Sequence, residues 1–89
     1  MRSIKELKNP DIIKINGYKF QVIKNTSLLY HTDKDKLGMV VELVKVGDKV
    51  TTPTDRLTYF NENPKEIKFF HFDNRIKKFK EVKLDSIAL

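Results

Sequence analysis

The chain has 89 residues, no cysteine and a net charge of +6, from 18 basic and 12 acidic side chains. That length predicts one small domain over residues 1–89. The lack of cysteine excludes disulfides, thiolate metal sites and cysteine nucleophiles, and it favours a cytoplasmic protein. No apolar run approaches the roughly 18 residues of a membrane-spanning helix, so no membrane contact is predicted.

The positive charge lies toward the two ends of the sequence. Residues 1–24 and residues 65–83 each have a net charge of +4, whereas residues 25–64 have a net charge of −1. Fifteen of the 18 basic side chains are lysines, which suit phosphate backbones and anionic surfaces better than bidentate base readout. A nucleic-acid surface built from this charge requires the two basic segments to meet in the fold.

The N-terminal residues predict a short helical turn. Ser3 and Glu6 have the spacing of a capping box, and Ile4 and Leu7 would share one face. We expect a single turn near residues 3–8, and we allow for a loose arm over residues 1–10 because Asn9-Pro10 ends anything helical.

A β-hairpin follows, with strands at residues 12–15 and 18–23. Asn16-Gly17 between them accepts positive φ at both positions, which predicts a two-residue type I′ turn. The turn sets the register and places Ile15 opposite Tyr18, Ile13 opposite Phe20, Lys14 opposite Lys19, Ile12 opposite Gln21 and Asp11 opposite Val22.

The longest apolar run is Gly38 to Val46, and we interpret it as the central strand. Both of its faces are mostly apolar, which predicts a strand covered on both sides. Residues 25–37 are interpreted as a connection, with Leu28, Leu29 and Tyr30 turned inward. Gly47-Asp48 then predicts a turn into a strand at residues 49–52. Residues 53–60 fit either a short helical turn that starts at Thr52-Pro53 or a strand over residues 56–60.

The last third predicts another hairpin, formed by residues 66–72 and 75–84 around Asp73-Asn74. A two-residue turn would place Phe72 opposite Arg75, Phe70 opposite Lys77 and Lys68 opposite Phe79. Rings and cations would then share one face, which is the combination that binds single-stranded nucleic acid. With the paired lysines of the first hairpin, the predicted nucleic-acid-binding residues are Lys14, Lys19, Lys68, Phe70, Phe72, Arg75, Lys77, Lys78, Phe79 and Lys80.

Three hairpins with short connections predict an all-β meander of about five to six strands, closed into a small barrel or rolled sheet. Over residues 12–72 the order of elements is similar to that of SH3-like barrels. The similarity is carried by the Gly-Met-Val-Val strand, the Gly-Asp turn and the turn around Asp55-Arg56-Leu57. It implies an architecture and no activity.

Catalytic and metal-binding patterns are weak in this sequence. His31, Asp33 and Asp35 offer ligands within five residues but lack the glycine and distal glutamate of a calcium loop. His71 lies among phenylalanines, where a histidine paired with a neighbour is the simpler interpretation. We therefore expect no enzyme activity, no metal and no cofactor. The leading hypothesis is a small basic module that binds nucleic acid, and the alternative is an adaptor or inhibitor that docks on an acidic or apolar protein surface.

Overall fold

The computed structural model describes residues 3–31, 37–49, 53–60 and 63–89, without the side chains of residues 27–31, 37–38, 60 and 63–66. The described residues contain one 3₁₀ turn, over Ile4–Glu6. No helix among these residues is long and apolar enough to cross a membrane. The strands are β1 Ile12–Ile15, β2 Tyr18–His31, β3 Leu37–Lys45, β4 Asp55–Phe60, β5 Asn63–Asp73, β6 Lys78–Val82 and β7 Ile87–Ala88.

These seven strands form one antiparallel sheet in the order β6-β5-β4-β3-β2-β1-β7. Each strand from β1 to β6 pairs with its neighbour in the sequence, and the short β7 pairs with β1. The sheet curls into a half-barrel, so that the Phe20 ring on β2 meets the Phe69 ring on β5, 5.3 Å away between centroids. The predicted all-β meander with a rolled sheet is confirmed, with more strands than expected.

The first hairpin has the predicted turn and register. Asn16 and Gly17 both adopt positive φ, at 51° and 83°, and the four predicted ladder pairs of β1 with β2 are observed. The Val22 amide also donates to the Asp11 carbonyl at 2.8 Å, which continues the pairing at the open end. An asparagine and a glycine at the two turn positions are therefore enough to set this register.

One face of the sheet holds the core, and the other is open. In the central strand β3, Met39, Val41 and Leu43 are buried, while Val40 and Val44 on the opposite face are only half-buried. The prediction of a strand covered on both sides is therefore wrong. The sheet buries one side by curling over itself, and the core consists of Ile4, Leu7, Ile13, Ile15, Phe20, Val22, Met39, Val41, Leu43, Leu57, Tyr59 and Phe69.

Two other segments differ from the expectation. Residues 25–31, interpreted as a connection, continue strand β2, whose pairing with β3 has register shifts after Val22 and after Thr26. Residues 55–60 form strand β4, so the helical turn over 53–60 is wrong and the strand alternative is correct. Leu57 and Tyr59 are buried on the core face of β4, and Thr58 between them is buried on the outer face. Successive side chains therefore point to opposite sides, as they do in a strand and not in a helical turn. The side chains at 28–30 and the predicted strand residues 50–52 lie outside the described residues.

The N-terminal turn docks onto the sheet and does not stand off as a loose arm. Ser3 occupies the N-cap position without a side-chain hydrogen bond, so the capping box is not formed. Ile4 and Leu7 are nevertheless buried against the core. The Asn25 Nδ2 atom on β2 donates to both of their carbonyls, at 3.0 and 2.8 Å. The Ile4 carbonyl also accepts from the Leu7 amide at 3.2 Å within the turn, so the two Asn25 bonds add a tie between the turn and β2.

Asn16 also holds the two edges of the curled sheet together. Residues 83–86 lead from β6 at one edge to β7 at the other, across the open side of the half-barrel. The Asn16 Nδ2 atom donates to the Lys83 carbonyl at 3.0 Å, and its Oδ1 atom accepts from the amides of Asp85 and Ser86 at 2.8 and 3.2 Å. The Asn16 amide in turn donates to the Ser86 carbonyl at 2.9 Å. We call this set of four bonds the Asn16 clasp.

The Asn16 clasp can be tested by comparing Asn16→Gly with Asn74→Gly. Glycine keeps the positive φ at position 16 and removes only the side-chain bonds, whereas Asn74 lies in another turn and makes no side-chain hydrogen bond within the described residues. Because both variants bear the entropic cost of a glycine, we expect Asn16→Gly to be less stable than Asn74→Gly by about 1–2 kcal/mol. Urea unfolding followed by tyrosine fluorescence measures this difference, and equal midpoints would contradict the clasp.

Candidate nucleic-acid interface

The third hairpin forms, but with a longer turn than predicted. Strand β5 pairs with β6 so that Phe72 faces Phe79, Phe70 faces Glu81 and Asp73 faces Lys78. The turn therefore contains the four residues 74–77, and the predicted two-residue turn is wrong. Because the register differs by four residues, an even number, each β5 side chain stays on the predicted face while its partners on β6 change.

Asp73 explains the longer turn. Its Oδ1 atom accepts a hydrogen bond from the Arg75 amide at 2.9 Å, and its carbonyl accepts one from the Lys77 amide at 2.8 Å. Lys77 closes the turn with φ at +56°. The carboxylate thus begins the turn from the last position of β5, since an aspartate side chain that binds the backbone two residues ahead competes with a tight type I′ turn.

A group of rings and cations lies on the outer face of β4, β5 and β6. Phe72 and Phe79 meet edge to face, with centroids 5.2 Å apart. Phe70 is half-buried on the same face, and its ladder partner on β4 is Arg56. We define the ring face as these three rings with their two flanking cations, namely Arg56, Lys68, Phe70, Phe72 and Phe79.

Arg56 covers one of these rings. Its guanidinium carbon lies 4.5 Å from the centroid of the Phe79 ring, within the range of a cation–π contact. The exposed Arg56 side chain thus presents a flat, charged plane above the ring. Beside it lies a shallow depression of about 210 Å³, lined by Val40, Arg56, Thr58, Phe70 and Phe79.

The remaining predicted residues are distributed over other parts of the fold. Lys14 and Lys19 are exposed and directly opposite each other on β1 and β2. Strand β3 separates them from the ring-face strands β4 to β6, so the two basic segments do not adjoin there. Arg75 and Lys77 lie in the turn, where Arg75 bonds back to Asp73. Lys78 and Lys80 lie on the edge strand β6 opposite Asp73 and His71, so they belong to the other face.

His71 is held by a carboxylate, as the sequence interpretation favours. Its Nδ1 atom lies 2.8 Å from the Oδ1 atom of Asp55, whose side chain is only 12% exposed. Asp55 also accepts a hydrogen bond from the Phe72 amide at 3.3 Å. Among the described residues, no three acidic or histidine side chains converge in a way that could hold a metal ion. Asp33 and Asp35 lie outside the described residues. The weak calcium-loop pattern of His31, Asp33 and Asp35 therefore stays a prediction.

Arg56 is the residue of this surface that the sequence interpretation missed. It lies in the segment for which a helical turn and a strand fitted equally well, and only the strand places its side chain next to the phenylalanines of β5. The signal was present in the alternation of Leu57 and Tyr59, whose burial leaves Arg56 and Thr58 on the outer face. A second cue was the β-branched and aromatic composition of residues 57–60.

No known protein family, no characterised protein and no solved structure matches this chain. The expected similarity to SH3-like barrels is supported by no matching structure, and the helical turn expected around Asp55-Arg56-Leu57 is a strand here. Function has to be inferred from the geometry of the side chains themselves.

The Asp73–Arg75 contact predicts a measurable change in acidity. The Arg75 side chain, followed by its backbone amide, lowers the pKa of Asp73. Because the folded-state pKa is lower than the unfolded-state value, the contact stabilises the fold above the unfolded-state pKa. That contribution is lost as the pH falls through the folded-state pKa. We expect Arg75→Ala to raise the pKa of Asp73 part of the way to its ordinary value, since the amide bond remains.

Carboxyl-detected NMR titration measures this pKa directly. Lys78→Ala is the matched control, because Lys78 is the ladder partner of Asp73 but does not contribute to lowering its pKa. The same rise in both variants would assign the effect to general positive charge and not to the Arg75 hydrogen bonds.

Proposed function

We propose that this protein is a non-enzymatic module that binds single-stranded nucleic acid through the ring face. The observation that carries the proposal is the exposed Arg56 guanidinium, whose carbon lies 4.5 Å from the centroid of the Phe79 ring on the outer face of the sheet. Exposed aromatic and guanidinium planes stack bases of any sequence, and neighbouring cations neutralise phosphates. The cysteine-free composition agrees with the cytoplasmic location that we include in the proposal.

The surroundings of the ring face support a path for a flexible polyanion. Lys68 flanks the rings on β5, opposite Thr58 on β4. A row of ladder partners leads from Glu81 on β6 through Phe70, Arg56 and Glu42 to Lys24 on β2. Two cations and two carboxylates therefore lie along this part of the outer face. The spread-out charge favours modest affinity with a strong dependence on salt.

A direct test is fluorescence anisotropy with labelled 12-mers of single-stranded DNA, single-stranded RNA and duplex DNA at two salt concentrations. We expect single strands to bind more tightly than the duplex, because the bases must be accessible for stacking. Phe79→Leu should weaken binding about fivefold or more, since base stacking on an aromatic side chain contributes about 1–3 kcal/mol. Arg56→Met should weaken binding and reduce the salt dependence.

Matched controls separate the ring face from general charge and general aromaticity. Tyr18→Leu removes another exposed ring, 58% accessible, from the opposite face of the sheet. Lys8→Met removes one exposed cation from the N-terminal segment, far along the chain from the ring face. Both controls should keep at least most of the wild-type affinity. If Phe79→Leu and Tyr18→Leu lose affinity equally, or Arg56→Met and Lys8→Met do, the ring face is not the binding site.

The alternative function is strand addition by a protein partner. Among the described residues, β6 pairs only with β5, so its outer edge has no ladder partner. Lys78 and Lys80 lie on that edge, and they would favour an acidic extended segment. The same lysines also discourage association between copies of the sheet, which is why the ring face is the preferred proposal. A wild-type protein that binds no oligonucleotide at low salt would leave this edge as the remaining candidate.

A further inference from the structure

A second concave site opens at the end of the half-barrel, on the face opposite the ring face. It is a chamber of about 270 Å³ between the first hairpin, the end of β3 and the strands β4 to β6. Its floor is apolar and belongs to the core, formed by Ile15, Phe20, Phe69 and Val82. We call it the mouth chamber. Neither the charge pattern nor the nucleic-acid proposal accounts for it.

The rim of the mouth chamber carries unbalanced charge. Asp48 and Asp55 both line it, whereas Lys45 is the single lysine that does. Asp55 is largely buried and has His71 as its side-chain partner. Within the described residues, Lys45 forms an ion pair with neither carboxylate. His71 also lines the chamber, and it and the Phe72 amide contact Oδ1 of Asp55. The exposed Asp48 carboxylate and the other oxygen of Asp55 therefore supply the charge that attracts a cation, more strongly at the largely buried Asp55.

An ammonium group already lies at this rim. The Lys45 Nζ atom is 4.4 Å from the centroid of the Tyr18 ring, within cation–π range. Tyr18 is 58% exposed, so its ring is accessible from solvent. The chain's own Lys45 lies over one face of that ring. Lys45 is itself exposed at the end of β3, and an exposed lysine on a flexible four-carbon stem is displaced at little cost.

We propose that the mouth chamber is a receptor for an alkylammonium group of a partner molecule, and that Lys45 occupies its rim in the free protein. The face of the Tyr18 ring contacts the ammonium group, and the carboxylates of Asp48 and Asp55 provide the opposite charge. The apolar floor accepts the alkyl stem. The chemistry is shared by a lysine side chain and by a free polyamine. The site is independent of the ring face, because Phe69 and Phe70 point to opposite sides of β5.

The test uses the full chain and NMR titration of its backbone amides with n-butylammonium. Lys45→Met removes the resident ammonium and keeps a long apolar side chain, so the probe should bind this variant of the order of fivefold more tightly than wild type. Shifts should concentrate at Tyr18, Asp55, Phe69 and His71. Lys49→Met is the matched control, since Lys49 lines the neighbouring groove but not the mouth chamber, and it should bind like wild type.

Two further variants show whether charge and ring are both needed. In the Lys45→Met background, Asp55→Asn keeps the shape of the side chain and removes its charge, and Tyr18→Leu removes the ring. Both should weaken binding of the probe. Comparing Nα-acetyl-lysine methylamide with spermidine then distinguishes a protein side chain from a polyamine as the preferred source of the ammonium group.

The proposal fails if neutral n-butanol binds as tightly as n-butylammonium, because the chamber would then be an apolar pocket without preference for a cation. It also fails if Lys45→Met binds n-butylammonium no more tightly than Lys49→Met does, while both variants retain the wild-type amide spectrum outside the mouth chamber. Oligonucleotide binding is measured separately, and Tyr18→Leu should weaken probe binding while preserving oligonucleotide binding. The two proposals can therefore fail independently.

Discussion

The clasp made by Asn16 is the constraint on which the rest of the molecule depends. A single-layered sheet of this size has no second sheet to bury its apolar face, so it has to curl until its own strands meet. The Phe20 and Phe69 rings meet across the resulting core, and the clasp joins the ends of the curl through residues 83–86. One asparagine therefore serves both a local turn and the closure of the whole sheet.

The features that local rules govern could be predicted from the sequence. The Asn16-Gly17 turn follows from two residues, and it fixes the register of the first hairpin without reference to anything else. The central strand follows from a run of β-branched residues. The third hairpin was harder, because the Asp73 side chain captures the backbone ahead of it and lengthens the turn. The side-chain hydrogen bond and the tight turn are alternatives of similar free energy. A small difference between them decides which one forms, and the sequence does not reveal that difference.

Features that depend on distant contacts could not be predicted. Whether β3 is covered on one face or two depends on how many layers the chain forms, which its own residues do not reveal. Arg56 joins Phe79 only because β4 and β6 flank β5. Lys45 reaches Tyr18 only because β3 pairs with β2 in a register that places Lys45 opposite Phe20, two residues from Tyr18. Candidate sites of this kind arise from strand order, whereas the sequence alone reports residue types and spacing.

The order of the strands also has a consequence for folding during synthesis. Strands β1 to β6 each pair with a neighbour in the sequence, so the meander can grow as the chain emerges. The closing bonds of Asn16 instead join residues 69 and 70 positions apart, a loop whose closure carries a large entropic cost. On the ribosome, the outer edge of β1 thus has no partner until residues 87–88 have left the exit tunnel. The nascent chain is then an open sheet whose core face is uncovered, and it is exposed to association with other chains until that moment.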